Sequence, residues 1–308
     1  MLVGSLHTAT YTISMHNEPE KLLFIINPIS GGKEKTDWEI AIRDYFNNKP
    51  QCTEFYHLNG VNDKASIKHH LERFNPSKVI AVGGDGTVKM LAEIVKETTV
   101  ALGILPAGSA NGMARELGIP SEMKGALKII EEGKVQPIDA IRINEEQLCI
   151  HLSDIGLNAM LVKYFESSPN RGMWGYGRAI IKMLFEKRKM RVTLTVDGEL
   201  IKRKAYMVTL ANARMFGTGA IINPDGNISD GVFEVVVVRK INLLEVYKSI
   251  FTNKTFHPRR IEVFPAKSVE LISQRRVFFQ VDGEYQGKTA RLKARILPGI
   301  LNKILPAD

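Results

Sequence analysis

The sequence predicts two domains: an α/β N-terminal domain, with a parallel sheet flanked by helices, and a β-rich C-terminal sandwich domain. Three observations carry this. The 308 residues suit two compact units rather than one. Residues 21–133 alternate short apolar runs with amphipathic segments, the pattern of strands buried under helices. After Pro137 the runs become strand-like and are punctuated by Asp197-Gly198, Asp225-Gly226 and Asp282-Gly283, the dipeptides of tight turns.

Taken in order, LLFII (22–26) reads as a buried strand and DWEIAIRDYF (37–46) as a helix. A strand at 52–57 and a helix at 63–74 follow, then the strand VIAV (79–82). Val88, Leu91, Ala92 and Val95 share one helical face, so a helix is expected from Val88. VALGIL (100–105) is the fourth strand, followed by helices near 109–117 and 122–132. The second half offers the strands PIDAIRIN, QLCIHLS, RVTLTVDG, KAYMVTLAN, GVFEVVVV, IEVFP, VELIS, VFFQVDG and ARLKARIL. Only two helical patterns interrupt them, at 174–188 and 242–251. The domains are expected to divide between 136 and 137, giving 21–136 and 137–296, behind a poorly ordered leader over 1–20.

Composition removes several function classes. No apolar run is long enough to span a bilayer, and residues 1–18 lack a signal-peptide pattern. The two cysteines, Cys52 and Cys149, make no disulfide framework and fit a reducing cytoplasm. CxxC and HExxH are absent, which leaves zinc without support. The net charge of +9 favours anionic partners. Nine basic residues crowd into 178–204, which reads either as a solvated surface or as a patch for an anionic membrane.

The candidate site lies where strands hand over to helices. Gly83-Gly84-Asp85-Gly86-Thr87 follows the third strand, Asn27 to Lys33 the first, and Pro106 to Gly112 the fourth. All three loops belong to the carboxyl edge of a parallel sheet, where ligands bind. Glycines let phosphate oxygens approach backbone N–H groups, and a helix start adds a positive dipole end. Asp85 fits this chemistry if a divalent cation or a set of donors lies between it and the phosphates; the plainer reading is a carboxylate that bonds backbone N–H groups. No Walker A or GxGxxG motif is present.

NPISGG, GGDGTV, LPAGSANGMAREL, PIDAIRI, HLSDIGLNAMLV, GNISDGVFEVVVV and FFQVDGEYQG, in this order, resemble the diacylglycerol kinase catalytic family, which includes bacterial diacylglycerol and YegS-like lipid kinases, sphingosine kinases and ceramide kinases. The resemblance covers residues 21 to about 300 and implies an NAD kinase/diacylglycerol kinase-like fold whose last residues, about 297–308, return to the first domain. It implies ATP and Mg²⁺, and a lipid substrate presented at a membrane surface. No nucleic acid partner is expected, and a homodimer remains open. Residue by residue, it assigns nucleotide contacts to Asn27, Pro28, Ser30 and Gly31, to Gly83, Gly84, Asp85, Gly86 and Thr87, to Gly108, Ser109 and Asn111, and to Glu284. Asp282 matches the general base, Asp85 would order the nucleotide's Mg²⁺, and Asn227, Asp230 and the Val232 carbonyl match a structural magnesium site. An EF-hand reading of that last loop fails, because Val236 stands where the bidentate Glu is needed.

Three departures stand out. The third loop lacks the acid of GTGND and is closer to PAGSGN; Lys89-Met90 replace a common Asn-Glu; and apolar residues stand where a sphingosine-binding Asp would be. Trp174 and Tyr176 could meet lipid at a cleft mouth or simply pack a helix start. The leading expectation is a cytoplasmic, peripherally membrane-associated lipid kinase acting on diacylglycerol, a sphingoid base or a related lipid. The alternatives are an NAD kinase-like soluble kinase and a catalytically weak nucleotide-binding regulator.

Overall fold

A computed structural model describes residues 19–32, 36–166, 182–183, 186, 188–215, 222, 226–241 and 260–307. The leader over 1–18, Lys33, Trp174, Tyr176, Asp225, the helix expected at 242–251 and most of that expected at 174–188 lie outside the described residues.

The first domain is a parallel sheet of β1 (Lys21–Ile26), β2 (Cys52–His57), β3 (Lys78–Gly83) and β4 (Ala101–Pro106), in the order β4-β3-β1-β2. Its central strands are buried on both faces, which is why KVIAVG and ALGILP read as continuous apolar runs. Helices α1 (Thr36–Phe46), α2 (Asp63–Phe74), α3 (Asp85–Val95), α4 (Gly112–Glu116) and α5 (Met123–Glu132) connect or cover the strands. Their apolar stripes meet Phe24, Ile80 and Leu105 in one core. Full burial of such a side chain stabilises the fold by roughly 1.5–3 kcal/mol. α3 begins at Asp85, three residues before the apolar stripe that announced it, because its first turn carries polar groups toward the sheet edge. α4 is only five residues long, shorter than the pattern over 109–117 suggested.

The second domain is mainly antiparallel. β5 (Lys134–Ile143) leads into β6 (Gln147–Cys149) and β7 (Leu152–Gly156), where one strand was expected across QLCIHLS. α6 (Leu157–Glu166) follows, a helix absent from the two helical patterns that the sequence offered for this half. β8 (Met190–Val196) and β9 (Glu199–Ala205) form a hairpin on Asp197-Gly198, both at positive φ, as a two-residue primed turn requires. β10 (Met207–Ala211), β11 (Phe233–Val238) and β12 (Ile261–Ala266) continue the sheet. Alternate residues of β11 enter different cores: Val235 and Val237 join Leu194, Phe279 and Leu292, while Val236 and Val238 join Met160 and Leu161 of α6. Both faces of this strand are therefore covered, which explains its unbroken valines.

β13 (Ser268–Val281) and β14 (Glu284–Leu305) join the two domains. β14 has 22 residues. It pairs with β13 at its start and with β5 from Ala294 onward, and its end lies parallel to β4 through Asn302–Ala101 and Lys303–Leu102. Among the described residues, one continuous hydrogen-bonded sheet thus runs from β12 to β2. Asp139 fixes the crossing: its carboxylate accepts from Gly231 N (2.7 Å) and Gly299 N (2.8 Å). Glu116 of α4 adds a second link, accepting from Arg214 Nε at 2.8 Å.

Candidate active site

The three glycine loops meet at the carboxyl edge of β1, β3 and β4. A Cβ on Gly31 would stand 2.8 Å from the Ala107 oxygen, and one on Gly84 would stand 3.2 Å from Gly108 Cα. Glycine is needed here for loop-to-loop contact, and Gly31 also sits at φ +67°. Ser30 Oγ donates to the Ala107 carbonyl (3.3 Å), and Asn27 Nδ2 donates to Thr87 Oγ1 (3.2 Å). Thr87 is buried beside Gly83. Asn111 folds back on its own loop, accepting from Gly108 N (2.8 Å) and donating to the Gly108 carbonyl (2.9 Å). Pro28, Gly86 and Ser109 are exposed at the surface of this cradle. No side chain caps the first turn of α3, so its positive end opens onto the same place.

Asp85, expected to order a cation, bonds the backbone of the third loop in this structure. Its two oxygens accept from Gly112 N (2.9 Å) and Met113 N (3.0 Å). The carboxylate therefore holds the start of α4 against the start of α3, the plainer of the two readings of its sequence context. Asn227 and Asp230 likewise form turns. Asn227 Oδ1 accepts from Ser229 N (3.1 Å), and Asp230 Oδ1 accepts from Val232 N (3.2 Å). Among the described residues, no group of three or more His, Cys, Asp or Glu side chains could hold a metal.

Asp282 sits across from this cradle, in the turn between β13 and β14. Asp282-Gly283 is an ordinary primed hairpin turn, with φ of 51° and 82° and Val281 paired to Glu284. Its carboxylate faces inward, accepting from Ile150 N (3.1 Å) and His151 N (2.9 Å), with the Cys149 thiol at 3.3 Å. Asp197 makes the same kind of turn and also accepts two backbone N–H groups, from Lys267 and Ser268. The environments differ. Burial works to raise the exposed Asp197, but those N–H bonds hold it below the usual carboxylate range. Burial pushes Asp282 up, against the pull of Lys89 and His151. Charge and burial around the same turn separate a structural aspartate from a candidate base.

The surroundings of Asp282 come from both domains. From α3, Lys89 Nζ reaches Glu284 Oε2 (3.0 Å) and the Val281 carbonyl (3.3 Å). Burial opposes the Lys89 charge, but Asp282 and Glu284 outweigh it and hold the ammonium above the ordinary lysine value. A Cβ on Gly86 would lie 3.7 Å from Glu284 Oε1, so Glu284 rests against the glycine loop. Beneath the turn, Gln280 Oε1 accepts from Gly283 N at 2.8 Å, while Gln280 Nε2 donates to Asp154. Burial raises Asp154 to about 6, against three hydrogen bonds that favour its charge.

Two further buried groups were missed by sequence reasoning. Among the described residues, His151 Nε2 and Lys303 Nζ are buried without a hydrogen-bond partner. Burial lowers His151, keeping its ring neutral, although Asp282 and Asp85 pull the other way. Burial lowers Lys303 to about 7, against the same two aspartates. The available signal was weak: in LNKIL the Lys interrupts an apolar strand end, and a buried charge is rare unless it has a role.

Lys303 makes a stability prediction. Its folded pKa lies below its unfolded value of 10.5, so the folded chain holds fewer protons between about 7 and 10.5, and stability rises as pH climbs through that window. The penalty at neutral pH is on the order of 4 kcal/mol. Lys303→Met should raise the urea midpoint at pH 7 and flatten the rise toward alkaline pH. An unchanged midpoint at neutral pH would remove Lys303 from this account.

Comparison with known proteins agrees with this arrangement. The family model for the diacylglycerol kinase catalytic domain matches residues 21–143, and that for the YegS C-terminal NAD kinase beta sandwich-like domain matches residues 154–305. A probable lipid kinase YegS-like from Klebsiella pneumoniae (strain 342) is 28% identical, over 77% of this chain and 80% of its own length. A diacylglycerol kinase from Staphylococcus aureus (strain bovine RF122 / ET3-1) is 26% identical, over 77% of each chain. The crystal structure of a putative diacylglycerol kinase from Bacillus anthracis str. Sterne shares the fold, with a TM-score of 0.75 at 23% identity, over 94% of this chain and 98% of that one. With both domain types present in order and the loops and hairpin facing one another, the chain belongs to the diacylglycerol kinase family of kinases, in its two-domain YegS-like form.

Proposed function

We propose that the protein transfers the γ-phosphate of ATP to a hydroxyl of a lipid, diacylglycerol or a related amphiphile such as a sphingoid base. The observation that carries this reading is the inward-facing Asp282 carboxylate, held across from the open first turn of α3 by Lys89 and Glu284. Phosphoryl transfer depends mainly on positioning and charge neutralisation. The α3 N-terminus and the loops at Gly31, Gly84 and Gly108 would receive the phosphates, with Asn27 and Thr87 fixing the loop beneath them. Asp282 would take the proton of the attacking hydroxyl. Its carboxylate oxygens keep lone pairs beyond those given to Ile150 and His151. A magnesium ion would arrive on the nucleotide's own phosphates, as part of the substrate.

The lipid reading has its own support. Beside the turn, Phe278 packs with Tyr285 (6.0 Å between ring centroids) and with Tyr164 of α6 (6.4 Å), and Lys163 lies over Phe278. Half-buried aromatics with cations above them suit an acyl chain that enters beneath an anionic surface. No helix among the described residues is long and apolar enough to cross a membrane. Attachment would use charge. A cavity of about 390 Å³ is lined by Lys189, Lys202, Arg203, Lys204, Arg239 and Lys240, with exposed Leu200 and Val263 on strands β9 and β12. We place the anionic bilayer at this face.

The test is radiolabelled ATP with diacylglycerol, sphingosine and ceramide in mixed micelles, and NAD in a parallel tube. Label should enter a lipid, and Asp282→Asn should lower kcat by about 10²–10⁴ without weakening ATP binding. Because Asp282 must be ionised to accept a proton, kcat/KM should fall with falling pH through a pKa above the ordinary 3.8. Label in NAD alone ends the lipid reading, and ATP binding without any transfer favours a regulator. In sedimentation with phosphatidylglycerol vesicles, Lys202→Glu/Lys204→Glu should weaken binding at least about tenfold. Equal binding to phosphatidylcholine vesicles would refute the membrane face.

A further inference from the structure

We infer that Lys89 is a positioning residue that fixes the Asp282 turn against α3, and so sets where the base stands relative to the nucleotide loop. The inference rests on the reading of Asp282 as the base. Lys89 is 7% exposed, and its ammonium grips both sides of the turn: Val281 O, before Asp282, at 3.3 Å, and Glu284 Oε2, after Gly283, at 3.0 Å. These two residues are the closing pair of the β13–β14 hairpin. The other bonds to the turn come from its own domain: Asp282 N to Leu152 O (2.9 Å), Gly283 N to Gln280, and the Ile150 and His151 N–H groups.

Geometry makes Lys89 a ruler as well as a tether. It lies four residues, about one helical turn, beyond Asp85 on α3. Gly86 lies three residues before it, on the same side of the helix, and Glu284 rests over Gly86. The hairpin therefore touches α3 at its first turn and again one turn later. Any rotation of the hairpin away from the glycine loop must break the Lys89 contacts. Methionine would fill the space but could not donate. A neutral amide could donate, but it is shorter and uncharged. Arginine could donate to both acceptors with different reach.

The test uses the full chain. Backbone hydrogen exchange over residues 279–286 is followed by mass spectrometry in wild type, Lys89→Met, Lys89→Arg and the charge swap Lys89→Glu/Glu284→Lys. The same proteins are assayed with ATP and dioleoylglycerol micelles. Lys89→Met should speed exchange at the turn about tenfold or more while β1 and β3 are unchanged. It should lower kcat by roughly 10- to 100-fold, with KM for ATP within about twofold. Lys89→Arg or the charge swap should restore part of both. Unchanged exchange and unchanged kcat in Lys89→Met overturn the inference, as does a loss confined to KM for ATP. If Asp282→Asn remains fully active, or dioleoylglycerol is not phosphorylated, the lipid-kinase reading fails instead. The exchange measurement then still decides whether Lys89 holds the turn.

Discussion

Strand β14 is the constraint on which the rest depends. It leaves the Asp282 turn, pairs with β13, then with β5, and ends parallel to β4 in the N-terminal parallel sheet. A hydrogen-bonded strand is stiff along its length, so the turn at one end and the glycine loops beyond β4 are held by the same backbone. The single irregularity in its pairing with β5 falls between Leu297 and Leu301, where Gly299 takes a positive φ and Asp139 clamps its N–H. The two domains are thus parts of one sheet, which changes from antiparallel to parallel pairing where β14 meets β4.

Electrostatics then gives this geometry its chemistry. Two lysines, Lys89 on α3 and Lys303 on β14, interact with the charge of the Asp282 turn. Burial alone would favour a protonated carboxyl, and nearby cations favour the ionised one. Burial wins this opposition, and Asp282 stands above the usual carboxylate value. Asp85, by contrast, gives both oxygens to the backbone of α4 and serves the shape of the cradle. The two aspartates that the sequence paired therefore differ in their partners: Asp85 bonds the start of α4, and Asp282 bonds the backbone of Ile150 and His151.

Much of this was legible from residues alone. The apolar runs of β1, β3 and β4 and the Asp-Gly turns state their structures locally, because period and turn chemistry are short-range properties. Other features depend on distant partners. α6 was missed because its apolar face is defined by distant strands, among them Leu152 of β7, Met207 of β10 and Val236 of β11, which share one core with Met160 and Leu161. Asp85 was ambiguous because its partners, Gly112 and Met113, lie on a different loop. Lys89 looked like a loss from a pattern; only the folded chain supplies its partners, 192 and 195 residues away. Lys303 carries almost no local signal, since its meaning comes from burial beside two charges, Asp85 and Asp282, contributed by separate segments.

The central claim is that the Asp282 turn and the GGDGT loop are two walls of one nucleotide site. A crystal structure with a non-hydrolysable ATP analogue tests it most directly. The account predicts the terminal phosphate at the first turn of α3, against Gly86 and facing the Asp282 carboxylate. A nucleotide whose terminal phosphate points away from Asp282, or which binds elsewhere and leaves the three glycine loops without a ligand, would contradict it.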